Sequence, residues 1–244
     1  MRENHERYAR QVTLSQIGRA GQERLATCTV TIIGCGGLGT VSAGLLTRAG
    51  VGRLCLVDND RVDLSTLQRQ VLYYESDLGR PKAVAAAERL RAIDGDITIE
   101  PVVARLRRSN AEKLLRGSDL VLDGTDNDAT RYLLNEVCLR LGIPWVFAAV
   151  DECYGLTMAI VPGRSPCFRC VFGDPLQPRR GVGTTKGILA PIAHIVASLQ
   201  ASQALRLLLK DGNCTQGLLY VDAWEGRLER VEVKAPPEGC PSCR

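Results

Sequence analysis

The chain has 244 residues, 45% of them hydrophobic and 24% charged, with a formal net charge of +4. This length suits one large α/β domain or a domain with a small appendage, and the composition excludes disordered and fibrous classes. The apolar runs fall short of a membrane span, no signal-peptide pattern opens the chain, and the charge balance argues against nucleic acid, so a cytoplasmic protein without a membrane or nucleic-acid partner is expected.

Chain order gives a consistent alternation. The β-branched run "CTVTIIG" (28–34) reads as a buried strand, and "LGTVSAGLLTRAG" (38–50) as a helix closed by glycine. "RLCLVDND" (53–60) is a second strand, and "RPKAVAAAERLRAI" (80–93) a helix with Pro81 near its first turn. A third strand follows in "ITIEPVVA" (97–104), a short helix near 110–116, and a fourth strand in "DLVLDGTDN" (119–127) that ends in polar residues. "DATRYLLNEVCLRLG" (128–142) is a helix and "IPWVFAAV" (143–150) a fifth strand. Strands alternating with helices predict a mostly parallel sheet covered on both faces. After Val150 the pattern changes to a strand near 156–161, a long helix at about 188–210, and two strands near 217–222 and 227–233 joined around Glu225–Gly226. One domain is expected, with an N-terminal helical arm (1–27), a nucleotide-binding α/β core (28–150) and a part (151–244) that extends the sheet and carries the paired cysteines.

Ten cysteines without a secretion signal point to reduced thiols, hence to metal or catalysis rather than a disulfide framework. Cys28, Cys55 and Cys138 lie in apolar segments and read as small core residues. Cys167/Cys170 and Cys240/Cys243 form two C-x-x-C pairs, which together read as one closed tetrahedral zinc site of structural kind.

"GCGGLG" (34–39) fits G-x-G-x-x-G between a strand and a helix, where Gly34, Gly36, Gly37 and Gly39 let backbone approach a phosphate at a helix N-terminus. Asp58 ends the next strand, placed to accept from a ribose hydroxyl. The default ligand of such a fingerprint is NAD or FAD. Against it stand Arg69 in a polar stretch and Lys82 in the first turn of a helix, where a cation opposes the helix dipole unless an anion is near. "DGTDN" brings Asp123 and Asp126 to the carboxyl end of a strand; Asp126 suits magnesium, while Asp126, Asn127 and Asp128 each suit the N-cap of the following helix. A phosphate loop, an arginine, a lysine and a magnesium-type carboxylate describe chemistry on a triphosphate, for which hydride transfer has no use.

In order and spacing "RYARQ" (7–11), "GCGGLG", "TLQRQ" (66–70), "RPK" (80–82), "DGTDN" and the two C-x-x-C pairs resemble the ThiF/MoeB/HesA family, relatives of the ubiquitin-activating enzymes, over nearly the whole chain. The resemblance implies a Rossmann-like fold and an adenylyltransferase that uses ATP and Mg2+. Its substrate would be the C-terminal glycine of a ubiquitin-like sulfur-carrier protein ending in Gly-Gly, activated for thiamine, molybdopterin or another thiolated product. It implies Asp58 on the ribose, Gly36 and Gly37 on the phosphates, Asp60, Gln70 and Asn127 among the nucleotide contacts, and Arg69 and Lys82 on the leaving pyrophosphate. Asp126 would serve the metal, Zn2+ would be structural, and Arg10 would reach the nucleotide of the opposite subunit of a homodimer. An activator of tRNA or of a peptide, and an NAD-dependent oxidoreductase, are the alternatives.

Two positions depart from that pattern. Thr66 stands where the family usually has asparagine, and Gly183 where relatives often carry a cysteine that bonds covalently to the carrier. Cys153, in the polar "DECYG", is the other candidate thiol, although an inert one is expected. Adenylation without an obligatory covalent enzyme intermediate follows, with an external sulfur or amine donor of unknown identity. The segment "RRGVGTTKGILAP" (179–191) imitates a P-loop, but Lys186 precedes Gly187 instead of following it, and the prolines ahead preclude a central strand. It is expected to be a crossover over the carrier's tail, ending at a helix near Ile188.

Overall fold

The computed structural model describes residues 6–173, 187–211, 217–233, 240 and 242–243. Two helices, α1 (Ala9–Val12) and α2 (Gly18–Leu25), precede a sheet of eight strands. Five strands are parallel: β1 (Thr29–Ile33), β2 (Arg53–Val57), β3 (Thr98–Val102), β4 (Leu120–Asp123) and β5 (Trp145–Asp151). The antiparallel β6 (Tyr154–Ile160), β7 (Leu218–Asp222) and β8 (Arg227–Val231) extend it, in the order β3-β2-β1-β4-β5-β6-β7-β8. Six more helices complete the fold: α3 (Gly37–Arg48), α4 (Lys82–Ile93), α5 (Ala111–Leu115), α6 (Asp128–Leu141), α7 (Phe168–Phe172) and α8 (Ala190–Leu208).

Alternation along the strands divides the core into two faces. Leu120 and Leu122 of β4 look toward α3, α4 and α8, packing with Val30, Leu54, Leu46, Leu90 and Ala204. Val121 looks the other way, with Leu134 of α6, Leu115 of α5, Trp145 and Phe168. The central strands β1 and β4 are therefore buried on both faces, as their continuous apolar runs require, whereas the edge strand β3 exposes Thr98 and Glu100. Chain order reverses between β1 and β4, so the carboxyl ends of these two strands frame a crevice, the usual ligand position in such a sheet.

The long helix begins at Ala190, with Pro191 in its first turn, and the last strand stops at Val231. The short α7, which starts after Cys167 and contains Cys170, is an element that periodicity does not announce: five residues are too few to show a helical repeat. The helical arm folds back on its own chain. Tyr8 donates to Asp94 at 2.5 Å, Arg7 to Ile93 O at 3.0 Å, and Gln11 to Ala49 O at 2.8 Å. Those acceptors lie at the C-terminal ends of α4 and α3, the edge of the sheet opposite the crevice.

Candidate active site

The crevice is a cleft of about 770 Å³. Its floor is the turn after β1, where Gly34 and Gly39 meet Gly124 of the turn after β4 in close approach. Gly34 has φ +94°, and a Cβ on it would stand 2.6 Å from Gly124 O. A Cβ on Gly124 would meet Gly34 O at 2.5 Å, and one on Gly39 would meet the same oxygen at 1.9 Å. Gly39 thus packs α3 onto the loop and does not line the cleft, whereas Gly34, Gly36 and Gly37 do. Gly36 caps α3 without any side-chain hydrogen bond, so the positive end of the helix opens into the cleft.

The other sequence-predicted residues gather around this helix start. Asp58 accepts from Cys35 N–H and from Asp60 N–H, both at 2.7 Å, and so braces the loop while lining the cleft. Arg69 lies over Gly37, where a Cβ would touch its Cγ at 3.4 Å, and its carbonyl faces His194 Nε2 of α8 at 3.3 Å. Lys82 is the first residue of α4, its side chain only 9% exposed, and its ammonium pairs with Asp60 at 3.3 Å. That carboxylate supplies the anion a lysine at a helix N-terminus needs. Gln70 is buried on the cleft wall with Oε1 unpaired, a buried acceptor that wants a donor. Thr66 also lines the cleft, its hydroxyl donating to Asp63 O at 2.7 Å.

Across the cleft, the turn after β4 resolves the capping question. Asn127 caps α6, its Oδ1 accepting from Thr130 N–H at 3.0 Å, which leaves Asp126 exposed beside it in the cleft lining. Asp123, which the sequence places with Asp126 at the end of β4, is turned inward. It is fully buried, accepting from Arg131 Nε at 3.1 Å and from Thr125 Oγ1 at 2.6 Å. Arg131 escaped sequence reading, yet it ties this turn together, with Nη2 donating to Thr125 O at 2.7 Å and Nη1 to Asp128 at 3.1 Å. Its only sequence signal is an arginine one helical turn into α6. The far end of the cleft is apolar and aromatic, lined by Phe147, Phe172, Tyr154, Leu156 and Tyr220, and the Tyr154 and Tyr220 rings stack at 6.1 Å.

Arg10 is not brought to this cleft; it is exposed on α1 at the opposite edge. Among the described residues Cys153, in the β5–β6 turn, is likewise absent from the lining. Gly183 and Lys186 lie outside the described residues. Cys28, Cys35 and Cys138 are buried, and burial pushes the Cys138 thiol up to about 12; Cys55 is half-buried and burial raises it to about 11.

Cys167, Cys170, Cys240 and Cys243 converge, their sulfurs all within 4.8 Å of one another. The separations of 3.6 Å (Cys167–Cys170), 3.8 Å (Cys167–Cys240) and 3.4 Å (Cys170–Cys243) are close to the ~3.8 Å edge of a tetrahedron with metal–sulfur bonds of ~2.3 Å. The donor set and its size therefore fit a four-thiolate metal site. Cys167 caps α7 and Cys170 lies one turn on, which puts both sulfurs on one side of that helix.

Fold and cleft together define an open α/β protein whose switch point is built for a large anion, with cations on one wall and a carboxylate on the other. The sequence profile of the ThiF family matches residues 8–242, and the chain belongs to that family. It is similar to a SAMP-activating enzyme E1 of Haloferax volcanii, with 40% identity over 244 residues covering 98% of this chain and 88% of that one. A sulfur carrier protein adenylyltransferase of Thermus thermophilus is also 40% identical, over 99% of this chain and 92% of its own length. The crystal structure of E. coli MccB shares the fold, with a TM-score of 0.86 at 22% identity, covering 98% of this chain and 72% of that one. No helix among the described residues is long and apolar enough to cross a membrane.

Proposed function

We propose that this adenylyltransferase of the ThiF family activates the C-terminal glycine carboxylate of a small ubiquitin-like sulfur carrier as an acyl-adenylate. The names of its relatives, a sulfur carrier protein adenylyltransferase and a SAMP-activating enzyme, support the substrate class. One observation carries the chemistry: the uncapped start of α3 opens into the same cleft as Arg69, Lys82 and Asp126. A triphosphate satisfies all of them at once. An NAD-dependent hydride transfer would leave the lysine and Asp126 without work, and it is set aside.

In this reading the helix start and Gly36–Gly37 would hold the phosphates, Asp58 would accept from the ribose, and Asp126 would hold Mg2+, which would offset phosphate charge. Asn127 and Gln70 complete the nucleotide contacts, Gln70 Oε1 receiving the donor it lacks. A carboxylate oxygen of the carrier attacks the α-phosphorus, a new P–O bond forms, and the bond to the β-phosphate bridging oxygen breaks. Pyrophosphate leaves as Arg69 and Lys82 neutralise its charge; Lys82 exchanges Asp60 for phosphate oxygen as it does so. The aromatic end of the cleft would take the carrier's extended tail.

Arg10 would enter from a second copy, because its own arm is bound at the far edge of the sheet, about 18 Å away along a twelve-residue helix such as α3. The part from 28 to 150 is thus the nucleotide half, and 151 to 244 carries the tail-binding wall and a structural Zn2+ held by the four cysteines. With glycine at position 183 and Cys153 away from the cleft lining, the adenylate would pass directly to an external sulfur donor. The test is ATP–pyrophosphate exchange: it should require a carrier ending in Gly-Gly, and exchange that proceeds equally well with a carrier lacking the two glycines would overturn the assignment.

A further inference from the structure

Tyr73 is buried in the loop that follows Gln70, and none of the chemistry above uses it. Its hydroxyl stands 2.8 Å from Cys35 O and 3.2 Å from Lys82 O. The backbone of Cys35 is consequently held on both sides by side chains, its N–H by Asp58 and its carbonyl by Tyr73. In a planar trans peptide the carbonyl and the next N–H point in opposite directions. Fixing Cys35 O against the buried phenol therefore turns Gly36 N–H away from it, and Gly36 lines the cleft. The phenol has one proton, which serves the nearer carbonyl first and shares with Lys82 O in a three-centre bond. Burial raises the phenol well above its ordinary value, so it remains a donor.

We infer that Tyr73 is a positioning residue for anion binding: it aims the Gly36 N–H into the cleft and couples the glycine loop to the first turn of the helix that carries Lys82. The inference rests on the adenylation reading of the cleft. Neither Cys35 nor Tyr73 touches the nucleotide in this scheme. The thiol of Cys35 is buried and plays no part, which explains why a cysteine is harmless inside a phosphate loop.

Tyr73→Phe removes the hydroxyl and keeps the ring in the core. Carrier-dependent exchange at a temperature well below the thermal midpoint should show a KM for ATP raised about tenfold, the size of one charge-assisted hydrogen bond, with kcat little changed. A merely structural hydroxyl would lower the thermal midpoint and the active fraction while leaving KM for ATP at the wild-type value; that result overturns the inference. Tyr73→Met, which fills the same space without a donor, serves if the phenylalanine variant folds poorly, and should raise KM in the same way. Lys82→Ala separates the two levels: exchange lost there but KM unchanged in both Tyr73 variants sinks this inference alone, whereas exchange untouched by Lys82→Ala sinks the adenylation reading itself.

Discussion

From β3 to β5 the sheet is parallel, and its cleft loops are braced by hydrogen bonds to Asp58 and from Tyr73 and Arg131. From β6 to β8 it is antiparallel and ends on a strand whose five residues are all exposed, with four clustered cysteines beside it. The first region has a continuous apolar core, with Leu120 and Leu122 packed on one side and Val121 on the other. The second has less core to draw on, and a metal is the compensation its thiolates offer, worth roughly 10–16 kcal/mol in small peptides. Charges on β8 (Arg227, Glu229 and Arg230) discourage pairing with other chains at that open edge. The difference puts the cleft of the proposed chemistry and a four-thiolate cluster fit for a metal in separate parts of one sheet.

The largest test of that separation is in the cleft. Asp126→Asn should lower carrier-dependent ATP–pyrophosphate exchange by about 100-fold or more without changing the thermal midpoint, because the side chain is exposed and caps nothing. A midpoint that falls along with the activity would merge the two roles. Next comes the metal. Strong chelation, or Cys170→Ser, should release about one zinc per chain by elemental analysis and open the segment after Val150 to protease. Tyr73-to-Cys35 bonding and the parallel strands should persist, so backbone amides of β1 and β4 should keep their hydrogen-exchange protection; loss of protection there would show that the halves are not independent.

A smaller effect concerns Asp77, which braces the loop ahead of α4. It is buried between Arg80 (2.8 Å) and Arg89 (2.9 Å). Burial pushes its carboxyl up, but hydrogen bonds from Arg89, Tyr74 N–H and Arg80 outweigh that and hold it below the usual carboxylate value. A depressed folded value stabilises above the ordinary one, and the contribution is lost as pH falls through the folded one. Asp77→Asn should therefore lower stability at neutral pH and flatten the acid side of the profile, as followed by denaturant unfolding at several pH values. The smallest expected effect is that of Cys153→Ser: exchange unchanged, and no thioester or persulfide adduct on either protein by intact mass. An adduct on the parent chain that this substitution abolishes would restore a covalent step.

Much of the parallel part of the sheet is legible in the sequence, because its glycines, its buried strands and the aspartate after β2 have local causes. A glycine loop between a strand and a helix is written in contiguous residues. The four-cysteine site is legible too, since thiol chemistry leaves few other uses for two C-x-x-C pairs. What could not be read depends on how side chains turn once the chain has folded. Arg131 looks like any helical arginine until Asp123 and Thr125 are seen to turn toward it, and the sequence sets Asp123 with Asp126 at one strand end without showing that it turns inward. Tyr73 has an ordinary place in a loop, and only folding sets its hydroxyl between two carbonyls. Asn127 rather than Asp126 caps α6, a choice among neighbouring residues that propensity alone leaves open.

The arm carrying Arg10 is fastened to the C-terminal ends of α3 and α4, on the side of its own sheet that the cleft does not occupy. If its arginine serves a second copy, a defect in the arm and a defect in the cleft belong to different working units. Two inactive alleles, Arg10→Ala and Lys82→Ala, should then complement when co-expressed, because the mixed assembly regains one cleft that has both its own lysine and a borrowed arginine. Genetics would see, in the recovery of one dead mutant by another, where that short helix is tied.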